Sequence, residues 1–177
     1  MKPSLPSQVK LLCAVLFTDE KLLAKATDLL KRKYGDIDFE SDLFTFEVSD
    51  YYRLEMGWPI FRVFWSFEQL IDPKAIAAIK IECNEIEDQL AIDGKRKVNL
   101  DAGYLDYDKI VLASAKYNWQ KIYLDLGIYA DLTLRYEKGK YVPFPWSFPD
   151  FKQGHYNQTL LRIREIYKQQ MKQLKSG

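Results

Sequence analysis

The spacing of hydrophobic and polar positions changes several times along the chain, and each change marks an element. Val9 to Thr18 reads as a continuous apolar run of strand length, the pattern of a strand buried on both faces. Asp19 then caps a helix whose Leu22, Leu23, Ala26, Leu29 and Leu30 share one side, and Gly35 supplies the stop. Asp36 to Glu40 alternates, with Ile37 and Phe39 on one face, and the same period returns at Phe44, Phe46 and Val48. Ser49-Asp50 predicts an N-cap for one or two helical turns through Tyr51, Tyr52 and Glu55, closed by Gly57. Phe61 to Phe67 is the next strand. Asp72-Pro73 opens a second long helix, with Ile76, Ile79, Cys83, Ile86 and Leu90 as its apolar stripe and Gly94 beyond it.

With Val98–Leu100 as a fourth strand, the order is β-α-β-β-α-β, which is the ferredoxin-like order. The remainder follows different periods. Asp101-Ala102-Gly103 has the composition of a turn. Asp106 is placed to cap a short helix carrying Ile110, Val111 and Ser114. From Ile122 to Leu134 apolar and polar residues alternate strictly, which is long for one strand. A three-residue turn with Gly127 in the left-handed position would fold this stretch into a hairpin. A second such turn at Glu137-Lys138-Gly139 leads into Lys140–Phe144. Prolines hold VPFPWSFPD extended. A last helix begins near Phe151 or Tyr156 and runs to Leu174, with Leu160, Ile163, Tyr167, Met171 and Leu174 as its buried stripe. The expected class is α+β: a ferredoxin-like half, then an antiparallel β-meander and a C-terminal helix. It forms a single domain over 9–177 after a loose tail at 1–8.

Composition narrows the functional classes. A net charge of +1 argues against nucleic-acid binding by bulk charge. That neutrality hides an asymmetry. Residues 72–93 carry six acids and two bases, which reads as a solvated helix face. The last helix carries six bases and one acid, with Arg164, Lys168, Lys172 and Lys175 on one side. Lys95-Arg96-Lys97 fits the cationic end of the second helix better than it fits a phosphate clamp. Cys13 and Cys83 stand apart in apolar surroundings, as buried free thiols of a reducing compartment do. No window reaches the length of a membrane span, so a cytoplasmic location is expected. The chain lacks a phosphate-cradling G-x-x-x-x-G-K-[ST], a G-x-G-x-x-G, a G-x-S-x-G and an H-E-x-x-H. Its one histidine, His155, lies in a polar segment, and no metal set is evident in the sequence.

Carboxylates, amides, lysines and tyrosines therefore carry the candidate chemistry, concentrated between Lys97 and Arg135. Asn99 and Asp101, two apart on a strand, point to one side of a sheet and could fix a ligand's hydroxyl or a magnesium ion. The competing reading of Asp101-Ala102-Gly103 is turn chemistry. Tyr123, Tyr129 and Asp131 project from one hairpin face with Lys116 ahead of them, a groove for a flat anion or simply the wet side of the hairpin. Glu55, between Leu54 and Met56, is either an acid/base group or a carboxylate paired with Arg53 or Arg62.

VNLDAGYL, ASAK and IYLDLGIYADLTL resemble a bacterial protein family known as domain of unknown function 4416. The likeness extends to LFTDE, IDFES, YYRLEMG, FWSFEQLIDP and PWSFPDF, and so covers nearly the whole chain. It implies a cytosolic bacterial protein and adds weight to Glu55, Asn99, Asp101, Gly103, Tyr104, Lys116, Tyr123, Gly127 and Tyr129, without assigning them roles. Ala102, Gln120 and Asp125 depart from the family pattern, where proline, histidine and glycine are usual.

Three functions follow as expectations. The first is binding of a small anionic or nucleotide-like ligand by Asn99, Asp101, Tyr104, Lys116, Tyr123, Tyr129, Asp131 and Glu55. The second is a metal-assisted hydrolase or transferase built on Asn99, Asp101 and Glu55. The third is an RNA-associated or structural accessory role through the basic C-terminal helix. A small-molecule partner is favoured over nucleic acid. Cofactor and oligomeric state are not specified by any motif.

Overall fold

The computed structural model describes residues 2–47 and 50–176, and of Asp50 and Tyr51 the backbone alone. The expected N-cap at Ser49 and the strand position of Val48 lie outside the described residues. The chain begins with β1 (Val9–Phe17), α1 (Glu20–Tyr34), β2 (Ile37–Glu40), β3 (Phe44–Thr45), α2 (Asp50–Met56) and β4 (Phe61–Ile71). A turn of 3-10 helix capped by Asp72 leads into α3 (Ile76–Gln89). Then come β5 (Val98–Leu105), β6 (Lys109–Ser114), β7 (Ile122–Asp125), β8 (Ile128–Glu137), β9 (Lys140–Pro143), α4 (Pro149–Lys152) and α5 (Asn157–Ser176).

The strands form one sheet in the order β2-β4-β1-β5-β6-β8-β7, with β3 on β4 and β9 on β8. Every pairing is antiparallel. The block β2-β4-β1-β5 is the ferredoxin-like arrangement, and the second half of the chain extends it past β5. All nine residues of β1 are buried because both faces are covered. Leu11, Cys13, Val15 and Phe17 pack with α1 and α3. Leu12 and Ala14 pack with Phe64 and the α5 residues Leu160, Ile163 and Tyr167. Cys13 and Cys83 are free and buried. Lys10, inside the same run, is fully buried and is held by Asp38 and by Gln170 at 2.8 Å. Burial pulls its pKa down, against the opposing pull of Asp38.

Several local expectations are corrected. Asp101-Ala102-Gly103 is not a turn but the middle of β5. Gly103 is required there by crowding: a Cβ would sit 2.4 Å from the Val111 carbonyl oxygen and 2.7 Å from Leu112 Cδ2. The segment after Asp106 is strand β6, not helix. Asp106 instead accepts backbone N–H bonds from Asp108 and Lys109 in a tight turn, and Ile110–Ala113 is a strand buried on both sides. The β7–β8 turn has two residues, Leu126 and Gly127, both at positive φ, and Lys138-Gly139 repeats it before β9. The polar side of the hairpin is not uniformly wet. Asp131 and Thr133 are buried, while all of β7 is exposed on both faces. At the chain's end Leu174 lies outside the buried stripe. No described helix is long and apolar enough to cross a membrane.

Candidate functional site

The feature that builds the site is a fork in the sheet. β5 pairs with β1 along its whole length, from Val98 to Leu105. With β6 it pairs only at Gly103, Tyr104 and Leu105. Beyond Gly103 the two strands part, and a cleft of about 180 Å³ opens between Asn99 and Asp101 on one branch and Leu112–Lys116 on the other.

A strand that loses its neighbour leaves backbone groups bare, and buried ones must be satisfied. Here side chains from α3 take the place of the missing strand. The Leu100 N–H donates to Glu87 Oε1 at 2.6 Å, and its carbonyl accepts from Lys80 Nζ at 2.7 Å. Lys80 and Glu87, 5% and 3% exposed, also form an ion pair at 3.4 Å. Burial alone would lower the Lys80 pKa, but the charges of Glu87 and Asp101 outweigh it and hold the ammonium above its ordinary value. The expectation of a solvated acidic face on this helix fails at these positions. Their spacing of seven, beside the apolar stripe, was the available signal.

Arg96 ties the mouth of the fork together. It gives two bonds to Glu55, one to Glu87 Oε2 at 2.9 Å and one to Asn99 Oδ1 at 2.8 Å. The hydrogen bonds from Arg96 depress the Glu55 pKa. Glu55 is thus paired, but with Arg96 rather than Arg53 or Arg62. Lys97 Nζ reaches the Met56 carbonyl at 2.9 Å. These residues lie past the end of α3 and fasten α2 to β5; they do not complement that helix's dipole.

Around the cleft, some polar groups are paired and two side chains keep buried nitrogen atoms without a hydrogen-bond partner. Asn99 is 3% exposed, and its Nδ2 has no hydrogen-bond partner. Asp101 is partly exposed, and its ion-pair contact among the described residues is a distant one: Arg62 Nη1 lies 3.9 Å from Oδ2. Arg62 itself is buried among Phe46, Phe64, Phe151 and Tyr156 and pairs with Asp150 at 3.2 Å, yet its Nε and Nη1 have no hydrogen-bond partner. Across the cleft, Lys121 bonds Ser114 at 2.8 Å and pairs with Asp131 at 3.4 Å. Burial raises the Asp131 pKa, against the pull of Lys121. Lys116, Tyr52 and Phe148 also line the cleft.

Of the residues singled out from sequence, Asn99, Asp101, Lys116 and Asp131 meet at this cleft, and Glu55 stands behind Arg96. Tyr104 lies at the closed end of the ladder, beside Tyr107 and Lys109 in another hollow, and burial raises its pKa. Tyr123 and Tyr129 pack edge-to-face at 5.5 Å, with Tyr117 against Tyr129 at 5.7 Å, and do not line the cleft. Lys80, Arg96, Lys121 and Phe148 were missed. A wider hollow of about 410 Å³ lies beside Phe44 and His155, but none of the unpartnered buried atoms belongs to its lining. Among the described residues no three of His, Cys, Asp and Glu come together as a metal set.

The model of the family described as a domain of unknown function, DUF4416, matches residues 7–167. The chain belongs to that family. No curated protein and no solved structure matched the chain. The match spans the VNLDAGYL and ASAK segments, which form the two branches of the fork, and assigns them no chemistry.

Proposed function

We propose that the fork between β5 and β6 binds a small polar anion that also carries a hydroxyl or amino group. The observation that carries this reading is a cleft lined by the partly exposed Asp101 carboxylate and by Asn99, whose buried Nδ2 has no hydrogen-bond partner. A buried amide donor without a partner is disfavoured by about 1–3 kcal/mol, and an acceptor oxygen of a ligand relieves it. Charge points the same way. Glu55 and Glu87 neutralise Arg96 and Lys80 from behind. Lys116 and the Lys121–Asp131 pair then line the cleft together with Asp101, which suits a ligand with both signs of hydrogen-bonding group. Asp101 accepts from the hydroxyl or amine, and Asn99 donates to the anionic end.

Size sharpens the class. Drug-sized sites span about 300–1,000 Å³, so about 180 Å³ suits a sugar phosphate or hydroxy acid better than a whole nucleotide. Tyr52 and Phe148 are the rings at the cleft, in place of the hairpin tyrosines. A metal-assisted reaction on Asn99, Asp101 and Glu55 gains no support, since Glu55 commits both oxygens to Arg96. The accessory role through α5 loses Arg164, which bonds the Tyr107 carbonyl and covers the Tyr136 ring.

A thermal-shift series with ribose 5-phosphate, glucose 6-phosphate, citrate, glycerate and AMP tests the reading. At a hundredfold excess over Kd, binding adds about 2.7 kcal/mol, which raises Tm by about 5–10 °C in a chain this size. The rise should be absent in Asp101→Asn. No rise with any of these compounds, or a rise that survives Asp101→Asn, would overturn it.

A further inference from the structure

β7 is an edge strand that lacks the chemical defences of an edge, its shortness and a register shift against β8 between Tyr123 and Asp125 being the ones it keeps. Edges normally carry charges, prolines or covering segments that block pairing with another chain. The opposite edge of this sheet conforms: β2 carries Asp38 and Glu40, with Asp36 ahead of it. β7 reads Ile122-Tyr123-Leu124-Asp125, is exposed on both faces, and has Asp125 as its one charge. That carboxylate already accepts the Leu126 N–H at 2.8 Å. The segment before it adds Tyr117 and Trp119, and Lys121 is turned inward to Asp131.

From this edge we infer that the protein forms a two-fold symmetric dimer in which β7 pairs antiparallel with β7 of a second copy. Exposure on both faces calls for an occupant that runs along the edge, since one that lay on a single face would leave the other bare. The area agrees. Tyr117, Trp119, Ile122, Tyr123, Leu124 and Leu126 together expose the equivalent of between three and four whole side chains. At roughly 200 Å² each that is on the order of 700 Å². Stable interfaces bury about 800 Å² per partner.

The strand is also self-complementary. A two-fold axis through Tyr123 sets Ile122 opposite Leu124 of the second copy and Tyr123 opposite itself, with no like charges facing within the strand. Depletion of charge at the centre of such a patch is the compositional mark of an interface core. The pairing would continue the sheet across the dimer, β8-β7-β7-β8.

Sedimentation equilibrium of the full chain tests the dimer. The expected species has twice the monomer mass of 20.9 kDa. Leu124→Lys should weaken association by more than tenfold, because each lysine then faces Ile122 of the other copy and lies diagonal to its twin, about 7–8 Å away. Its circular dichroism and Tm should stay close to wild type. Tyr123→Cys supplies an independent reading, since Cys13 and Cys83 are buried. Mild oxidation should yield a covalent dimer on a non-reducing gel, and Lys138→Cys, in the β8–β9 turn, should not. A monomer at high micromolar concentration overturns the inference. So does a dimer that persists in folded Leu124→Lys, or a Tyr123→Cys protein that fails to crosslink. The ligand series above does not depend on any of these outcomes.

Discussion

The two ends of the β5–β6 pair are built on opposite terms. At the closed end Gly103, Tyr104 and Leu105 zip against Leu112, Val111 and Ile110, and Leu105, Ile110 and Leu112 enter the apolar cluster beneath α5. Backbone pairs with backbone there. At the open end, Leu100 receives its bonds from Lys80 and Glu87, Asn99 keeps one donor unpaired, and Asp101 looks into a cleft. A second strand and a few apolar residues would have closed that end. The chain instead places a buried ion pair there, and such pairs are seldom the more stable choice. The difference separates what holds the sheet from what the sheet is holding open.

The largest effect should come from breaking the substitute for the missing strand. Lys80→Met leaves the Leu100 carbonyl without a donor and buried Glu87 with Arg96 as its remaining cation. A loss of about 3 kcal/mol, the low end for a broken buried pair, is expected in urea unfolding. Adding Glu87→Leu should restore part of that loss, as for coupled partners. Next comes the closed end itself. Gly103→Ala forces a methyl group into the Val111 backbone, with an expected cost of about 2–3 kcal/mol by the same measurement.

Smaller effects sharpen the open end. The folded pKa of Glu55 lies below its ordinary 4.5, so its stabilising contribution is present above 4.5 and is lost as pH falls through the depressed value. Glu55→Gln should therefore be less stable than wild type at neutral pH by about 1 kcal/mol, the pair being partly exposed, and the two curves should meet in acid. Asn99→Leu should lie within about 1 kcal/mol of wild type, because it removes an unpaired donor along with one of the two acceptors of Arg96 Nη1. The smallest change is expected for Asp131. Its raised pKa means that ionising it destabilises the fold, a cost absent below 3.8 and complete above the folded value. Asp131→Asn should flatten the stability curve across that window.

The ferredoxin-like half could be read from the sequence because its signals are local. Asp19 and Asp72 cap what they appear to cap, and the stripes of α1 and α3 face the sheet. The fork could not, because it depends on where two strands part. Asp101-Ala102-Gly103 has turn composition, yet its glycine answers to crowding from β6. Asp106 has the look of a helix cap, but Ile110–Ala113 is a strand buried on both sides, which a short apolar run does not distinguish from helix. Lys80 and Glu87 vanish into a helix whose charges suggest water. Asn99 and Asp101 were found by their alternation on one strand, Lys116 and Asp131 by their position around the hairpin. Tyr123 and Tyr129 share that hairpin, but on β7 and β8 they pack against each other and do not line the cleft.

The claim that the open end exists to hold a ligand is tested most directly by an amide NMR titration with ribose 5-phosphate. The account predicts saturable shifts concentrated at residues 99–101 and 113–116, lost in Asn99→Leu while the spectrum stays folded. Shifts confined to α5 or to the hollow at Phe44 and His155, or unchanged in Asn99→Leu, would contradict it.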